Sequence, residues 1–125
     1  MSFVRSLHLT AFRNYREASL VDMHDGFVII TGDNGAGKTN ILEAISLLAP
    51  GRGMRGAKGA EFRCVDVGAD VLWGVAAQVE TPYGSMKIGT GAQGGTDRRL
   101  VRINGVDAKA QTALADYVSC VWLTP

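Results

Sequence analysis

The sequence predicts an α/β fold in a single domain, and three observations predict it. An uninterrupted β-branched run, Phe27-Val28-Ile29-Ile30, leads into a glycine-rich stretch, and a segment of helical periodicity begins directly after it at Thr39. Further on, Pro82-Tyr83-Gly84 and Asn104-Gly105 punctuate alternating segments, as in an antiparallel β-meander. The composition agrees: 125 residues, 46% hydrophobic and 20% charged, suffice for one packed core and exclude general disorder.

From Phe3 to Phe12, Phe3, Arg5, Leu7 and Leu9 alternate with Val4, Ser6, His8 and Thr10, a period near two that predicts a half-buried strand. Arg13-Asn14-Tyr15-Arg16 breaks the pattern, and Ala18 to Val21 is a second short strand. After the turn signal Asp25-Gly26, the run Phe27 to Ile30 is expected to be a strand covered on both faces at the centre of a helix-flanked sheet. From Thr39 to Ala49 a helix carries Ile41, Leu42, Ala44, Ile45, Leu47 and Leu48 around most of its circumference, leaving Asn40, Glu43 and Ser46 as one narrow polar stripe. Pro50-Gly51 should end it, because proline cannot continue the hydrogen-bond ladder. Gly51 to Ala60 reads as a glycine-rich basic loop and Ala60 to Val65 as a short helical segment, with no core formed there. Asp70 to Thr81 and Ser85 to Gly89 are predicted as a hairpin, Gly89 to Asp97 as a loop, and Arg98 to Ile103 as a third strand. Ala108 to Tyr117 has helical propensity, and Ser119 to Leu123 begins a further strand.

Gly32-Asp33-Asn34-Gly35-Ala36-Gly37-Lys38-Thr39 fits G-x-x-x-x-G-K-[ST] at every fixed position, in the strand-to-helix context that gives the motif its meaning. Glycines let successive backbone N–H groups point into one concavity at a helix N-terminus, where the macrodipole adds positive potential for a phosphate. Gly35 and Gly37 keep side chains out of that space. Lys38 can place an ammonium between β and γ phosphates, and the Thr39 hydroxyl can ligate Mg²⁺ bridging the same oxygens. A phosphate loop does not by itself choose among ATPases, GTPases and small-molecule kinases.

Thirteen basic against twelve acidic residues give a net charge of +1, which excludes a strongly polyanion-seeking domain on global charge and leaves local clusters as the route to nucleic acid. Arg52, Arg55, Lys58 and Arg63 against Glu61 form one such cluster, with Arg52, Arg55 and Lys58 as the candidate DNA contacts, able to neutralise phosphates without reading sequence. Arg98, Arg99 and Arg102 form a second, which the alternation of Arg98, Leu100 and Arg102 marks as a solvated strand face. Cys64 and Cys120 lack metal-ligand spacing and are expected as buried thiols. No apolar run approaches the ~18 to 20 residues that span a bilayer. Met1 to Thr10 also lacks the continuous apolar stretch of a secretion signal, so a cytoplasmic location without membrane contact is expected.

Leu7-x-Leu9-x-x-Phe12-Arg13-Asn14-Tyr15 is followed by Ile30-x-Gly32-x-Asn34-Gly35-x-Gly37-Lys38-Thr39-Asn40-x-Leu42-Glu43-Ala44-Ile45, then by Gly51-Arg52 and Met54-Arg55. Together these closely resemble the N-terminus of the RecF family of bacterial recombination and repair ATPases, relatives of the Rad50 and SMC heads. The resemblance is strong over residues 1 to 60 and collinear beyond them, as far as Val121-x-Leu123-Thr124-Pro125, which is similar to the strand leading into the family's Q-loop region. Thr39 and Glu43 stand where the SMC and Rad50 branch usually has serine and aspartate, which favours RecF.

The resemblance implies a P-loop NTPase fold of ABC-ATPase type, carrying the β-meander. It implies a head that binds ATP with Mg²⁺ and forms a homodimer with ATP sandwiched between the copies. Such a head binds DNA at single-strand/double-strand junctions. It works with RecO and RecR to support RecA loading in DNA repair, replication-fork maintenance and the SOS response to DNA damage. To the phosphate-loop set Gly32, Asp33, Asn34, Gly35, Ala36, Gly37, Lys38, Thr39 and Asn40 it adds Arg13 and Asn14, brought toward the nucleotide from the first turn.

No apolar strand ending in Asp-Glu lies between Thr39 and Pro125, and no Ser-Gly-Gly-type signature is present. Residues 1 to 125 are therefore expected to be the N-terminal part of an ABC-type head, incomplete at the C-terminal end and without a catalytic residue, the full-length protein being a weak DNA-dependent ATPase. Other classes stay open: another SMC- or Rad50-type head, an interaction module switched by nucleotide, and a P-loop kinase of a small metabolite. DNA-dependent nucleotide turnover separates the ATPase from the last two. Expressed alone, residues 1 to 125 should expose apolar surface and release no phosphate. A sharp two-state melt together with DNA-stimulated hydrolysis would overturn that expectation.

Overall fold

In a computed structural model, which describes residues 2–26, 28–32, 37–51, 53–57, 59–68, 70–93, 99–108, 110–118 and 120, the alternating N-terminal segment is strand β1, Phe3–Phe12. Leu7 and Leu9 point to the core as their period requires. A β-bulge between Val4 and Ser6 shifts the phase ahead of them, so Arg5 lies outside the core and pairs with Glu80 at 3.0 Å. Strand β2, Tyr15–Leu20, begins three residues before the expected Ala18, because Phe12 pairs with Tyr15 across the two-residue turn Arg13-Asn14.

The meander follows as β3, Gly74–Thr81, β4, Gly84–Ala92, β5, Arg99–Ile103, and β6, Val106–Asp107. All neighbours are antiparallel, in the order β2-β1-β3-β4-β5-β6. Pro82-Tyr83 forms the β3–β4 turn, and Asn104-Gly105 the β5–β6 turn with φ of 52° and 82°, the left-handed pair that a two-residue hairpin needs. Strand β4 extends through Ala92, into the expected loop, because Gly91 permits close approach: a Cβ there would lie 2.5 Å from the Trp73 carbonyl oxygen.

One apolar cluster joins this sheet to the rest of the chain. It takes Leu7, Leu9, Val75, Ala77, Val79, Ile88 and Val101 from the strands, and Ile41, Ala44, Leu47 and Leu48 from the helical segment. Contrary to the expectation that no core forms between Gly51 and Val65, Ala57 and Phe62 also belong to it. Phe62 closes a 3₁₀ turn, Gly59–Phe62, and its ring lies 5.7 Å from Phe12 and 4.9 Å from Trp73. An apolar ring of this size gains more from that contact than the basic loop before it gains from solvation. Between Ala108 and Tyr117 the expected helix is a 3₁₀ segment, Gln111–Asp116, anchored by the fully buried Leu114. Cys64 is buried and Cys120 half-buried, both as free thiols, and burial raises the Cys120 pKa.

Two larger corrections concern the centre. Of the expected buried strand Phe27–Ile30, Phe27 lies outside the described residues; Val28 to Ile30 form no strand, and Ile29 is 84% exposed. A β-branched run becomes a buried strand only when neighbours supply its hydrogen bonds and cover, and none of the six described strands pairs with it. Helix α1, Lys38–Ser46, stops four residues before Pro50. Arg99, expected on a solvated face, turns inward from β5 and donates to the carbonyls of Leu47, Ala49 and Gly51, so the chain leaves the helix to meet a guanidinium. Arg102 does stay exposed, paired with Asp107 at 2.7 Å. Arg98 and the expected strand Ser119–Leu123, apart from Cys120, lie outside the described residues.

Replacing Phe62 with Ala should lower the free energy of unfolding by about 3–5 kcal/mol. Tyr83→Ala, at a site 88% exposed, should change it by no more than about 0.5 kcal/mol. Denaturant titration of both variants checks the pair.

Candidate nucleotide site

Gly37 caps helix α1 in the left-handed region, with φ of 100°. Gly37 has no side chain with which to cap the helix, and no acidic residue occupies the first turn, so the first-turn residues themselves leave the positive potential of the N–H end in place. Lys38, the first helical residue, folds its Nζ back to donate to the carbonyl of Gly32. This brings both ends of the motif together around the ammonium. Thr39 is exposed in the same first turn. Asp33, Asn34, Gly35 and Ala36, between these ends, lie outside the described residues.

The β1–β2 turn packs against the helix at this point. A Cβ on Gly37 would lie 2.6 Å from Asn14 Nδ2 and from the Tyr15 hydroxyl, so any other residue would push those two side-chain ends aside, and φ of 100° favours glycine there. Asn40 Nδ2 donates to Asn14 Oδ1 at 2.8 Å. Arg13, Asn14 and Asn40 are therefore brought together with Gly37 and Lys38, although they come from segments more than twenty residues apart in sequence.

Arg13 does not project freely. Its Nε and Nη2 donate to the two carboxylate oxygens of Glu43 at 2.7 and 3.0 Å, and its guanidinium lies over the Phe62 ring. Arg55, a candidate DNA contact, donates to Glu43 Oε1 at 3.2 Å and to Asn40 Oδ1 at 2.7 Å. The other two candidates, Arg52 and Lys58, lie outside the described residues.

Glu43 itself is fully buried. The polar stripe Asn40, Glu43 and Ser46 is thus turned inward at its middle and end, while Leu42 is half-exposed. Sequence reasoning recorded the stripe but missed its role. The available signal was the spacing, since polar residues at i, i+3 and i+6 on an otherwise apolar helix can be an internal hydrogen-bonding edge. Ser46 completes it by donating to the Glu43 carbonyl at 2.6 Å and accepting from the Met54 N–H at 2.9 Å.

The residues present fit a bound phosphate chain: a helix N-terminus that begins at a glycine, a lysine ammonium on the first helical residue that donates to the Gly32 carbonyl, and a hydroxyl on the first turn. Among the described residues, no group of three or more His, Cys, Asp or Glu side chains could hold a metal ion.

The AAA domain family matches residues 6–108, and the chain belongs to that family. Within it, the chain resembles the N-terminal part of RecF. DNA replication and repair protein RecF of Rhizobium rhizogenes is 45% identical over 98% of this chain and 32% of its own length. The protein of the same description from Rhizobium meliloti is 46% identical over 98% and 33%. Among solved structures, the recombination mediator protein RecF-ATP of the RecFOR pathway superposes with a TM-score of 0.79 at 28% identity, over 90% of this chain and 30% of that one. The α/β P-loop fold of ABC-ATPase type, with its antiparallel meander, is thereby established for a chain that spans about a third of the length of the curated relatives it matches.

Removing Glu43 leaves two guanidinium groups facing an empty acceptor. Glu43→Ala should therefore destabilise the fold by about 3–5 kcal/mol. In a double-mutant cycle with Arg13→Ala, the combined loss should fall short of the sum by about 1–3 kcal/mol. Strict additivity in urea titrations would show that the pair carries no coupling.

Proposed function

We propose that this chain is the phosphate-loop portion of a RecF-like ATPase head, residues 1–125, in which the N-terminus of α1 and Lys38 hold the phosphates of ATP. The observation that supports it most is the Lys38 ammonium, on the first residue of a glycine-started helix, turned back to the Gly32 carbonyl, in a chain whose solved relatives include RecF-ATP. On this reading Lys38 exchanges the Gly32 carbonyl for phosphate oxygens, and the N–H groups of the first turn supply neutral donors beside it. The exposed Thr39 hydroxyl would hold Mg²⁺, which would offset the charge of the phosphates. Asn40, Asn14 and Arg13 form the wall on the side of the β1–β2 turn.

The whole protein, on the same reading, is a cytoplasmic DNA-binding protein of recombinational repair and replication-fork maintenance. Two copies sandwich ATP, DNA is engaged at single-strand/double-strand junctions, and RecO and RecR join it to support RecA loading. Turnover is weak and DNA-dependent. Arg52 and Lys58 are the phosphate-neutralising cations of the basic loop, whereas Arg55 has its guanidinium committed to Glu43 and Asn40. Among the described residues, no helix is long and apolar enough to cross a membrane.

In the full-length protein, Lys38→Ala should weaken ATP binding by about tenfold or more, which is about 1.4 kcal/mol. Thr39→Ala should show itself mainly as a weakened Mg²⁺ dependence. Equal ATP affinity in Lys38→Ala and wild type, measured by equilibrium titration, would sink the assignment.

A further inference from the structure

Glu43 lies outside the phosphate-loop motif, yet four residues around the site, Arg13, Arg55, Asn40 and Asn14, are linked through it. Arg13 donates two hydrogen bonds to its carboxylate, Arg55 donates to the carboxylate and to Asn40 Oδ1, and Asn40 donates to Asn14 Oδ1. The peptide bond between Arg13 and Asn14 closes a ring. That ring ties together three separate segments: the β1–β2 turn, helix α1 and the start of the basic loop. We infer that Glu43 is a positioning residue for the nucleotide site, holding the Arg13-Asn14 turn against the N-terminus of α1 through this ring. The inference rests on the reading of residues 32–39 as an ATP-binding loop.

The backbone supplies an independent observation. Ala11 and Arg13 both have positive φ, 50° and 52°, a conformation that residues with a Cβ rarely adopt. They flank Phe12, and their main-chain groups leave the β1–β2 ladder to pair with the next segment: Arg13 N–H donates to the Phe62 carbonyl and Cys64 N–H to the Ala11 carbonyl, each at 2.7 Å. Such backbone persists only where the surroundings over-determine it. Here the bidentate pair with Glu43 fixes the side chain of the strained residue itself.

The turn's position matters to the helix N-terminus because the two are in contact. The side-chain ends of Asn14 and Tyr15 lie where a Cβ on Gly37 would stand. A shift of the turn therefore either opens a gap beside the helix N-terminus or presses on it. A glutamine at position 43 keeps the size of the side chain but offers one acceptor oxygen and turns an NH₂ toward a guanidinium, so it cannot accept both Arg13 bonds.

The test uses the full-length protein and ATP, with the dissociation constant measured well below the unfolding midpoint on variants shown by circular dichroism to be folded. Glu43→Gln should weaken ATP binding at least about fivefold, and Arg13→Gln should do the same. The double variant should be no weaker than the worse single one, because a residue that acts through Arg13 contributes nothing once Arg13 is gone. Arg55→Met spares the Arg13–Glu43 pair, and with it the fold, and should weaken binding about threefold; it decides the matter if Glu43→Gln does not fold. Normal ATP affinity in Glu43→Gln and Arg55→Met, alongside a loss in Lys38→Ala, would overturn the positioning role and leave the ATP-binding loop standing. Multiplying losses in the double variant would overturn the route through Arg13. Normal affinity in Lys38→Ala would instead remove the ATP-binding loop, and the inference with it.

Discussion

The carboxylate of Glu43 is the constraint on which both the site and its surroundings depend. It is fully buried, and a charge removed from water survives only where partners offset its lost hydration. Arg13 does so through two parallel hydrogen bonds, the geometry in which a guanidinium matches a carboxylate best, and Arg55 adds a third donor. The consequences spread outward from that pair. The Arg13 guanidinium lies 5.5 Å from the Phe62 ring centre, Phe62 stacks on Phe12, and both contact Trp73. One ionic contact thus connects the helix after the phosphate loop to the first hairpin and to the aromatic part of the core.

The two ends of α1 are treated in opposite ways. At the C-terminal end, Arg99 reaches across from β5 to take the carbonyls of Leu47, Ala49 and Gly51, placing a cation where the helix dipole is negative. Burial lowers its pKa to about 10, still far enough above neutrality for the guanidinium to stay charged. At the N-terminal end the cap is Gly37, which has no side chain to offer, and the first turn holds no acid. With Lys38 beside it, that helix end suits an anionic ligand, and the packing of Asn14 and Tyr15 against Gly37 keeps it in place.

Elements whose physics is local were legible. Alternation identified β1, the Pro82-Tyr83-Gly84 and Asn104-Gly105 turns located the meander, and the phosphate-loop spacing located the start of the helix to within one residue. Elements that depend on distant partners were not. Phe27 to Ile30 reads as a buried strand from its side chains, but a strand needs a ladder, and no described strand supplies one. Pro50 reads as the helix stop, yet the ladder ends earlier, where a cation about fifty residues further along the chain collects the carbonyls. Arg55 reads as a candidate DNA contact in a basic loop, and its spacing in the chain gave no sign that its Nη1 meets Glu43.

By itself the sequence pointed to a kind of chemistry, because that reading rests on contiguous residues: glycines, a lysine and a threonine at fixed spacing ahead of a helix. It also placed the hairpin around Pro82-Tyr83-Gly84 and the turn at Asn104-Gly105, whose residues favour the dihedral angles they adopt, but not the short strand β6 beyond that turn. Only the tertiary structure decided which charges are partners. Arg13, Glu43, Arg55 and Arg99 are four ordinary surface-type residues in one dimension, and the desolvation that makes three of them an ionic clamp and the fourth a helix cap exists only after the chain has folded around them.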